Sequence, residues 1–330
     1  MDSHIINVDR LVKNFGELVA VDGVSFHVEH GEIFGFLGPN GAGKTTTINM
    51  LCTLLKPTSG TATVNGFDII TAKHEVRESI GMVFQDPSLD DQLTARENLE
   101  FHAVVYHLPR PVREKRMAEV LDMVSLSERA HDRVGTFSGG MKRRLEIARG
   151  LLHYPAVLFL DEPTIGLDPQ TRNYIWEYIE GLKKREGITI FLTTHYMEEA
   201  EHCDRIAIID YGRIIALDTP EQLKNEVGGD VIKLRTEDDD KAREELLSRY
   251  PDIDMIPDPE CSLCFERDRG EEFIPDLIRE LQIRIISINL HRPTLDDVFL
   301  KMTGREIRDE GGDRATALMR SALTMSQRKR

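Results

Sequence analysis

Between the apolar run Glu32-Ile33-Phe34-Gly35-Phe36-Leu37 and a helix-patterned stretch stands Gly38-Pro39-Asn40-Gly41-Ala42-Gly43-Lys44-Thr45, with the G-x-x-x-x-G-K-[ST] spacing of a phosphate loop. Glycines at these positions let the backbone turn tightly and aim its N–H groups at phosphate oxygens, at the positive end of the following helix. The pattern predicts a strand ending at Leu37, a helix from about Thr45 to Leu55, and a nucleoside triphosphate between them. Lys44 then reaches the β- and γ-phosphates, and the Thr45 hydroxyl holds Mg²⁺.

A chain of 330 residues has room for one large α/β domain and a smaller second one. Its net charge of −15, from 42 basic and 57 acidic residues, argues against nonspecific nucleic-acid binding, which needs a basic footprint; a local basic patch stays open. No apolar run approaches the roughly 20 residues that span a bilayer, and Met1-Asp2-Ser3-His4 has no secretory character. The expectation is a cytoplasmic chain. Four cysteines are too few for a disulfide scaffold at this size. Cys52 and Cys203 fall in apolar-patterned helix segments and read as small core residues. Cys261 and Cys264 form one C-x-x-C with no second ligand pair at zinc spacing, and read as two residues of a half-buried strand.

Strand-like runs open the chain at Ile5 to Val8, Val19 to Val21 leading into Val24 to Val28, and Ile33 to Leu37, with another short one around Thr63-Val64. From about Thr94 to Leu152 the apolar spacing is helical, so a helical insertion is predicted over about 88–152. Val157-Leu158-Phe159-Leu160 and Ile188 to Leu192 read as buried parallel strands with a helix from Gln170 to Arg185 between them, and Arg205 to Ile209 and Gly212 to Ala216 complete the main domain. The domain is expected over 1–225. Gly228-Gly229-Asp230 opens a small α+β module over 226–304, with strands at Val231 to Leu234 and Arg284 to Leu290. Residues 305–330 read as a flexible tail whose basic end, Arg328-Lys329-Arg330, is a solvated cluster or a membrane-surface contact.

The predicted strand Val157 to Leu160 delivers Asp161-Glu162 to its C-terminal end, where an open α/β sheet binds ligands. Asp161 is placed for Mg²⁺; Glu162, pointing another way, suits a general base for water attacking the γ-phosphate. His195, after the strand Ile188 to Leu192 and Thr193-Thr194, is placed to donate to a γ-phosphate oxygen. Ser138-Gly139-Gly140 precedes the helix starting at Met141, which makes either a second anion site or a plain helix cap.

Taken in order, the phosphate loop, Gln85, Phe137-Ser138-Gly139-Gly140, Asp161-Glu162, Gly166-Leu167-Asp168 and His195 resemble the ATP-binding-cassette ATPases over roughly residues 5–225. The resemblance implies a P-loop NTPase fold of the ABC nucleotide-binding type with a helical subdomain. It also implies a head-to-tail homodimer with ATP between one subunit's phosphate loop and the other's Ser138, Gly139 and Gly140. By the same resemblance Gly38, Pro39, Asn40, Gly41, Ala42, Gly43, Lys44, Thr45 and Thr46 bind ATP, Phe15 stacks on the adenine, and Gln85 senses Mg²⁺ and water and couples to a membrane partner. Thr45, Gln85 and Asp161 make the metal set, Glu162, His195 and Lys44 the catalytic one, and Asp168 signals across the dimer. Residues 137–141 correspond to the family's signature, and Phe137 and Met141 depart from its usual Leu-Ser-Gly-Gly-Gln.

Asp86-Pro87-Ser88-Leu89-Asp90-Asp91, Leu93-Thr94-Ala95-Arg96-Glu97-Asn98-Leu99 and Pro293-Thr294-Leu295-Asp296-Asp297-Val298-Phe299-Leu300 look like the daunorubicin-resistance type of multidrug exporter ATPase. In that group the ATPase sits peripherally on the cytoplasmic face of the membrane and drives a separate integral-membrane ABC-2 type permease. The alternatives are a soluble cassette ATPase acting on nucleic acid or ribosomes and the ATPase of an uptake system. One G-K-T loop, no sustained heptad run and the acidic balance weigh against the former, and the short C-terminal module against the latter.

Overall fold

The computed structural model describes residues 4–86, 88–256, 263–267 and 269–304. Cys261 and the 305–330 tail lie outside them. The chain divides into two compact units at Thr219 and Pro220. Among the described residues no helix is long and apolar enough to cross a membrane.

The first unit is built on a six-stranded sheet in the order Arg213–Asp218, Arg205–Asp210, Ile33–Leu37, Thr189–Thr194, Val157–Asp161, Ile80–Val83. The first strand pairs antiparallel at the edge and the remaining pairs are parallel. Every residue of Ile33–Leu37, Val157–Asp161 and Thr189–Thr194 is buried, which is why these segments show continuous apolar runs rather than alternation. Phe26, Phe34, Phe36, Phe159 and Phe191 pack with ring centroids 5.4–6.0 Å apart, in stacked or tilted pairs within the range that aromatic rings favour. A four-stranded antiparallel sheet, in the order Leu18–Glu29, His4–Phe15, Ser59–Val64, Phe67–Asp68, sends Ile6, Val8, Leu11, Val24 and Phe26 into the same core.

Helices Ala95–Val105, Arg110–Met123 and Gly139–Gly150 occupy the stretch expected to be helical. The first is closed by a capping box between Thr94 and Glu97, so its start is written in the T-x-x-E spacing. The phosphate-loop helix runs Lys44–Leu51, four residues short of expectation, because Cys52 caps it and Thr53 turns left-handed at φ 62°. Cys52 and Cys203 are both buried, but each lies just beyond a helix end rather than inside one. The helix Lys73–Ser79 and strand Ile80–Val83 were not anticipated from sequence; the strand is only four residues of a short apolar run, too brief for periodicity to declare.

The second unit has helix Pro220–Val227, an antiparallel sheet in the order Asp254–Met255, Leu263–Arg267, Asp230–Thr236, Ile285–His291, and helices Asp239–Arg249, Gly270–Glu280 and Leu295–Thr303. Its own core gathers Ile232, Leu234, Leu246, Leu263, Phe265 and Leu277. Cys264 is buried on an inner strand opposite Lys233.

Candidate active site

Parallel pairing sets the ends of Ile33–Leu37, Thr189–Thr194 and Val157–Asp161 side by side, with Phe36 opposite Thr193 and Thr193 opposite Asp161. The residues that leave these ends, Gly38, His195 and Glu162, therefore emerge on one edge of the sheet. The Gly38 N–H donates to the Thr194 carbonyl at 3.2 Å, fastening the loop's first residue to the strand that carries His195. A side chain at Gly38 would put its Cβ 2.2 Å from the Ile209 carbonyl oxygen. At Gly43, φ is 108° and a Cβ would stand 2.5 Å from the Ala20 carbonyl oxygen, so both ends of the loop admit only glycine.

Lys44 is 4% exposed, and its Nζ donates to the carbonyls of Gly38 at 2.7 Å and Pro39 at 3.1 Å. The same ammonium lies 3.6 Å from Glu162 Oε1, and His195 Nδ1 approaches that oxygen to 3.3 Å. Burial draws the Lys44 pKa down, against the opposing pull of Glu162 and Asp161. For Glu162 burial works to raise the pKa, but the contacts of His195 and Lys44 together outweigh it and hold it below the usual carboxylate value. Glu162 is thus an ionised carboxylate facing two basic groups.

Its backbone is unusual as well, with φ at 45°, in the left-handed region that a non-glycine residue adopts at a cost of order 1–3 kcal/mol. The conformation is held by the Glu162 N–H, which donates to both the carbonyl and the hydroxyl of Thr193 at 3.1 Å. This turn separates two neighbouring acids. Asp161 points back to the phosphate-loop helix, where Oδ1 accepts from the Thr45 hydroxyl at 3.3 Å and from the Thr193 hydroxyl. Burial raises the Asp161 pKa, and the charge of Glu162 adds to the rise. A buried carboxylate beside a threonine hydroxyl is a hard all-oxygen donor set, which fits Mg²⁺. Gln85 lies exposed beyond the end of Ile80–Val83, two residues past the strand.

The remaining expected residues lie apart from this cluster. Phe15 is half-buried at the tip of the hairpin pairing Phe15 with Leu18, with Lys13 Nζ 5.1 Å from its ring centre. Ser138 caps helix Gly139–Gly150 by accepting from the Met141 N–H at 3.3 Å. Gly139 and Gly140 face Leu167 and Thr171, and a Cβ at Gly140 would stand 2.3 Å from Thr171 Cγ2. Among the described residues no hydrogen bond or ion pair joins residues 138–140 to the phosphate loop. Asp168 caps helix Pro169–Glu186, accepting from the Thr171 N–H at 3.0 Å and the Thr171 hydroxyl at 2.6 Å.

Sequence reasoning missed Thr193, Thr194 and Glu199. Glu199, 1% exposed on the short helix Met197–Ala200, accepts from the hydroxyls of Thr194, at 2.7 Å, and Thr164. Burial pushes its pKa up to about 7, with the Glu162 charge adding, against the Thr194 bond and the charges of Arg172 and His195. The folded protein therefore holds this proton more tightly than the unfolded chain does. That contribution to stability is complete below the ordinary value of 4.5 and is lost as pH rises through about 7. The expected fall between pH 5 and pH 8 is about 2–3 kcal/mol at most, and Glu199→Gln removes it. Urea unfolding of both proteins across that range checks this; parallel stability curves would contradict it.

The comparisons agree with this geometry. A family model described as ABC transporter matches residues 21–165, and one described as ATP-binding protein DrrA1-3-like, C-terminal domain, matches residues 219–303. The chain is 40% identical to the linearmycin resistance ATP-binding protein LnrL of Bacillus subtilis (strain 168), over 92% of this chain and 100% of that one. It is 40% identical to the daunorubicin resistance ATP-binding protein DrrA2 of Streptomyces coeruleorubidus, over 92% of this chain and 96% of that one. Among solved structures, the dimeric post-hydrolysis state of the ATP-binding cassette MJ0796 bound to ADP and Pi matches with a TM-score of 0.58 and 29% identity, over 65% of this chain and 98% of that one. Family models covering both units and near-full-length relatives thus converge with the clustered phosphate loop, acids and histidine: the chain belongs to the ATP-binding proteins of ABC transporters, in the group with a DrrA-like C-terminal domain.

Proposed function

We propose that the chain hydrolyses ATP at a site completed by a second copy of itself, and that this drives export of a drug-like or lipidic compound through a separate ABC-2 type permease. The observation that supports it best is the division of labour within one chain. Lys44, Asp161, Glu162 and His195 gather at the strand ends, while Ser138, Gly139 and Gly140 open a helix, and among the described residues no hydrogen bond or ion pair joins those three to the phosphate loop. A helix N-terminus set apart from its own subunit's phosphate loop suits the nucleotide of a neighbouring copy.

The phosphates of ATP compete with the Gly38 and Pro39 carbonyls for the Lys44 ammonium, and backbone N–H groups of the loop receive the remaining oxygens. Lys44 then turns from Glu162 to the substrate. Glu162 loses that stabilising charge and gains an anionic neighbour, so its pKa rises from its depressed position and it becomes a better proton acceptor for the attacking water. His195 keeps the Glu162 carboxylate oriented from the other side and is within reach of the same pocket. Thr45, Asp161 and Gln85 would hold Mg²⁺, which neutralises charge on the β- and γ-phosphates when bound. Asp168, beside the signature glycines through Thr171, would carry the state of one site to the other.

Closure of two copies on ATP and their parting after hydrolysis would move the permease between inward- and outward-facing states. Dimerisation is tested by light scattering with a nonhydrolysable ATP analogue and magnesium. A chain that stays monomeric there, even with its permease present, overturns the composite site.

Helix Ala95–Val105 offers a docking face for the permease, because Phe101, Val104 and Val105 are 61%, 51% and 54% exposed at i, i+3 and i+4 spacing. On that reading the chain is held at the cytoplasmic face of the membrane as a peripheral subunit. Phe101→Asp with Val105→Asp is expected to abolish recovery of the permease in mild-detergent purification while ATP affinity stays unchanged. Undiminished recovery would place the permease elsewhere.

A further inference from the structure

Helix Gly139–Gly150 buries a charged pair one turn past its signature residues: Arg143 is 7% exposed and Glu146 is fully buried, with Nη1 3.3 Å from Oε2. Arg143 spends its other donors on main-chain carbonyls. Nε donates to Pro163 at 2.7 Å, Nη2 to Asp161 at 3.0 Å and Nη1 to Phe84 at 2.6 Å. Glu146 Oε1 accepts from the Ser88 N–H at 2.6 Å and the Ser88 hydroxyl at 3.1 Å, and Arg149 stands 4.0 Å from the same oxygen.

These partners come in brackets. Asp161 and Pro163 flank Glu162, and Phe84 and Ser88 flank the segment that carries Gln85. One ion pair thus grips the chain on both sides of the general base and on both sides of the metal-sensing glutamine. A buried ion pair is a poor source of net stability, since apolar residues of similar volume serve as well. What the planar guanidinium supplies is fixed geometry: its donors are rigid relative to one another, so three carbonyls are held in one frame. The left-handed backbone of Glu162, at φ 45°, is a conformation that persists only when its surroundings over-determine it, and two of those restraints come from Arg143.

We propose that Arg143 and Glu146 are positioning residues that fasten the signature helix to the Glu162 turn and to the Gln85 segment of the same subunit. The helix that engages the neighbouring copy's nucleotide then moves its own subunit's hydrolytic carboxylate and permease-facing segment with it. This rests on the reading of the chain as a two-site ATPase. Arg143 acts through Glu162, and it touches no substrate.

The test pairs Arg143→Met with Glu146→Leu, which removes both charges of the pair while Arg149 keeps its bond to the Met82 carbonyl at 3.3 Å, and adds Arg143→Lys, which keeps the charge but loses the fork. Both proteins are expected to melt near the wild-type temperature and to bind ATP within about threefold of wild type, while kcat falls by about tenfold or more through a misplaced carboxylate. A kcat within about twofold of wild type in the folded double variant overturns the proposal. So does a loss of ATP affinity matching the loss of kcat, or failure of both variants to fold, either of which assigns the pair to general stability. Wild type and Glu162→Gln run alongside: equal turnover of those two defeats the hydrolytic reading itself, whereas a slow Glu162→Gln beside a fully active double variant defeats only the strut.

Discussion

Glu162→Gln is expected to bind ATP at least as well as wild type and to hydrolyse it at least about a hundredfold more slowly, the usual range for loss of a positioned general base. Glutamine has the same length and branching, so the left-handed turn at residue 162 and the main-chain bonds from its N–H to Thr193 are retained. What disappears is the negative charge between Lys44 and His195. In the free protein Lys44 keeps the Gly38 and Pro39 carbonyls as acceptors, so the variant leaves no unpaired buried ammonium. With ATP bound, the loss of a carboxylate next to the γ-phosphate relieves like-charge repulsion, so affinity holds or rises while proton transfer stops. If ATP joins two copies, the variant accumulates as a stable ATP-bound dimer. Steady-state phosphate release together with light scattering reads both effects, and unchanged turnover would remove Glu162 from the base role.

The candidate site was legible wherever its residues stand consecutively in the sequence. Gly38 to Thr45, Asp161-Glu162 and Ser138 to Gly140 each combine a residue type with a strand end or helix start, and local pattern suffices to place such a unit. The separate orientation of the two acids followed from their adjacency, and the structure realises it by turning Glu162 left-handed while Asp161 faces Thr45. The main strands were readable because a sheet covered on both faces selects continuous apolar runs, as in Val157–Asp161. Ile80–Val83 escaped because its four residues, one a glycine, carry no periodicity. Of the four helices described in the second unit, the sequence pattern predicts Asp239–Arg249 and Gly270–Glu280, as helices near Asp240 to Ser248 and Glu272 to Leu281, but not Pro220–Val227 or Leu295–Thr303, although Thr294 and Asp297 form a capping box at the start of the last.

Residues whose role depends on contacts distant in sequence were invisible. Arg143 reads as one more cation in Lys142-Arg143-Arg144, on a helix where charges usually face water. Nothing local shows that Arg143 is buried and reaches Phe84 and Pro163, 59 and 20 residues away. Glu199 hides likewise among Glu198, Glu199 and Glu201, and only the fold shows which of them is enclosed by Thr164 and Thr194. A buried charge leaves one trace in sequence, a partner at helical spacing, and Glu146 at i+3 from Arg143 supplies it.

Lys44→Ala is expected to abolish measurable ATP binding, and here the free structure shows why so little else should change. The Lys44 ammonium is enclosed, with its pKa lowered by burial, so its solvation has already been given up and is only partly offset by Gly38, Pro39 and Glu162. Two phosphate contacts at roughly 1.5–3 kcal/mol each, as for other charge-assisted hydrogen bonds, correspond to a loss of at least about a hundredfold in affinity. The Glu162 carboxylate does not become an orphan, because His195 remains 3.3 Å away, and the loop keeps its Gly38 bond to Thr194. The unliganded variant should therefore unfold close to wild type, while the stabilisation that saturating ATP confers on wild type, by mass action, is missing from it. Titration with a fluorescent ATP analogue and thermal melts with and without ATP separate the two quantities. Wild-type affinity in Lys44→Ala would mean that the nucleotide sits outside the Gly38–Thr45 cradle, and a collapsed melting temperature without ligand would mean that Lys44 serves the fold before it serves phosphate.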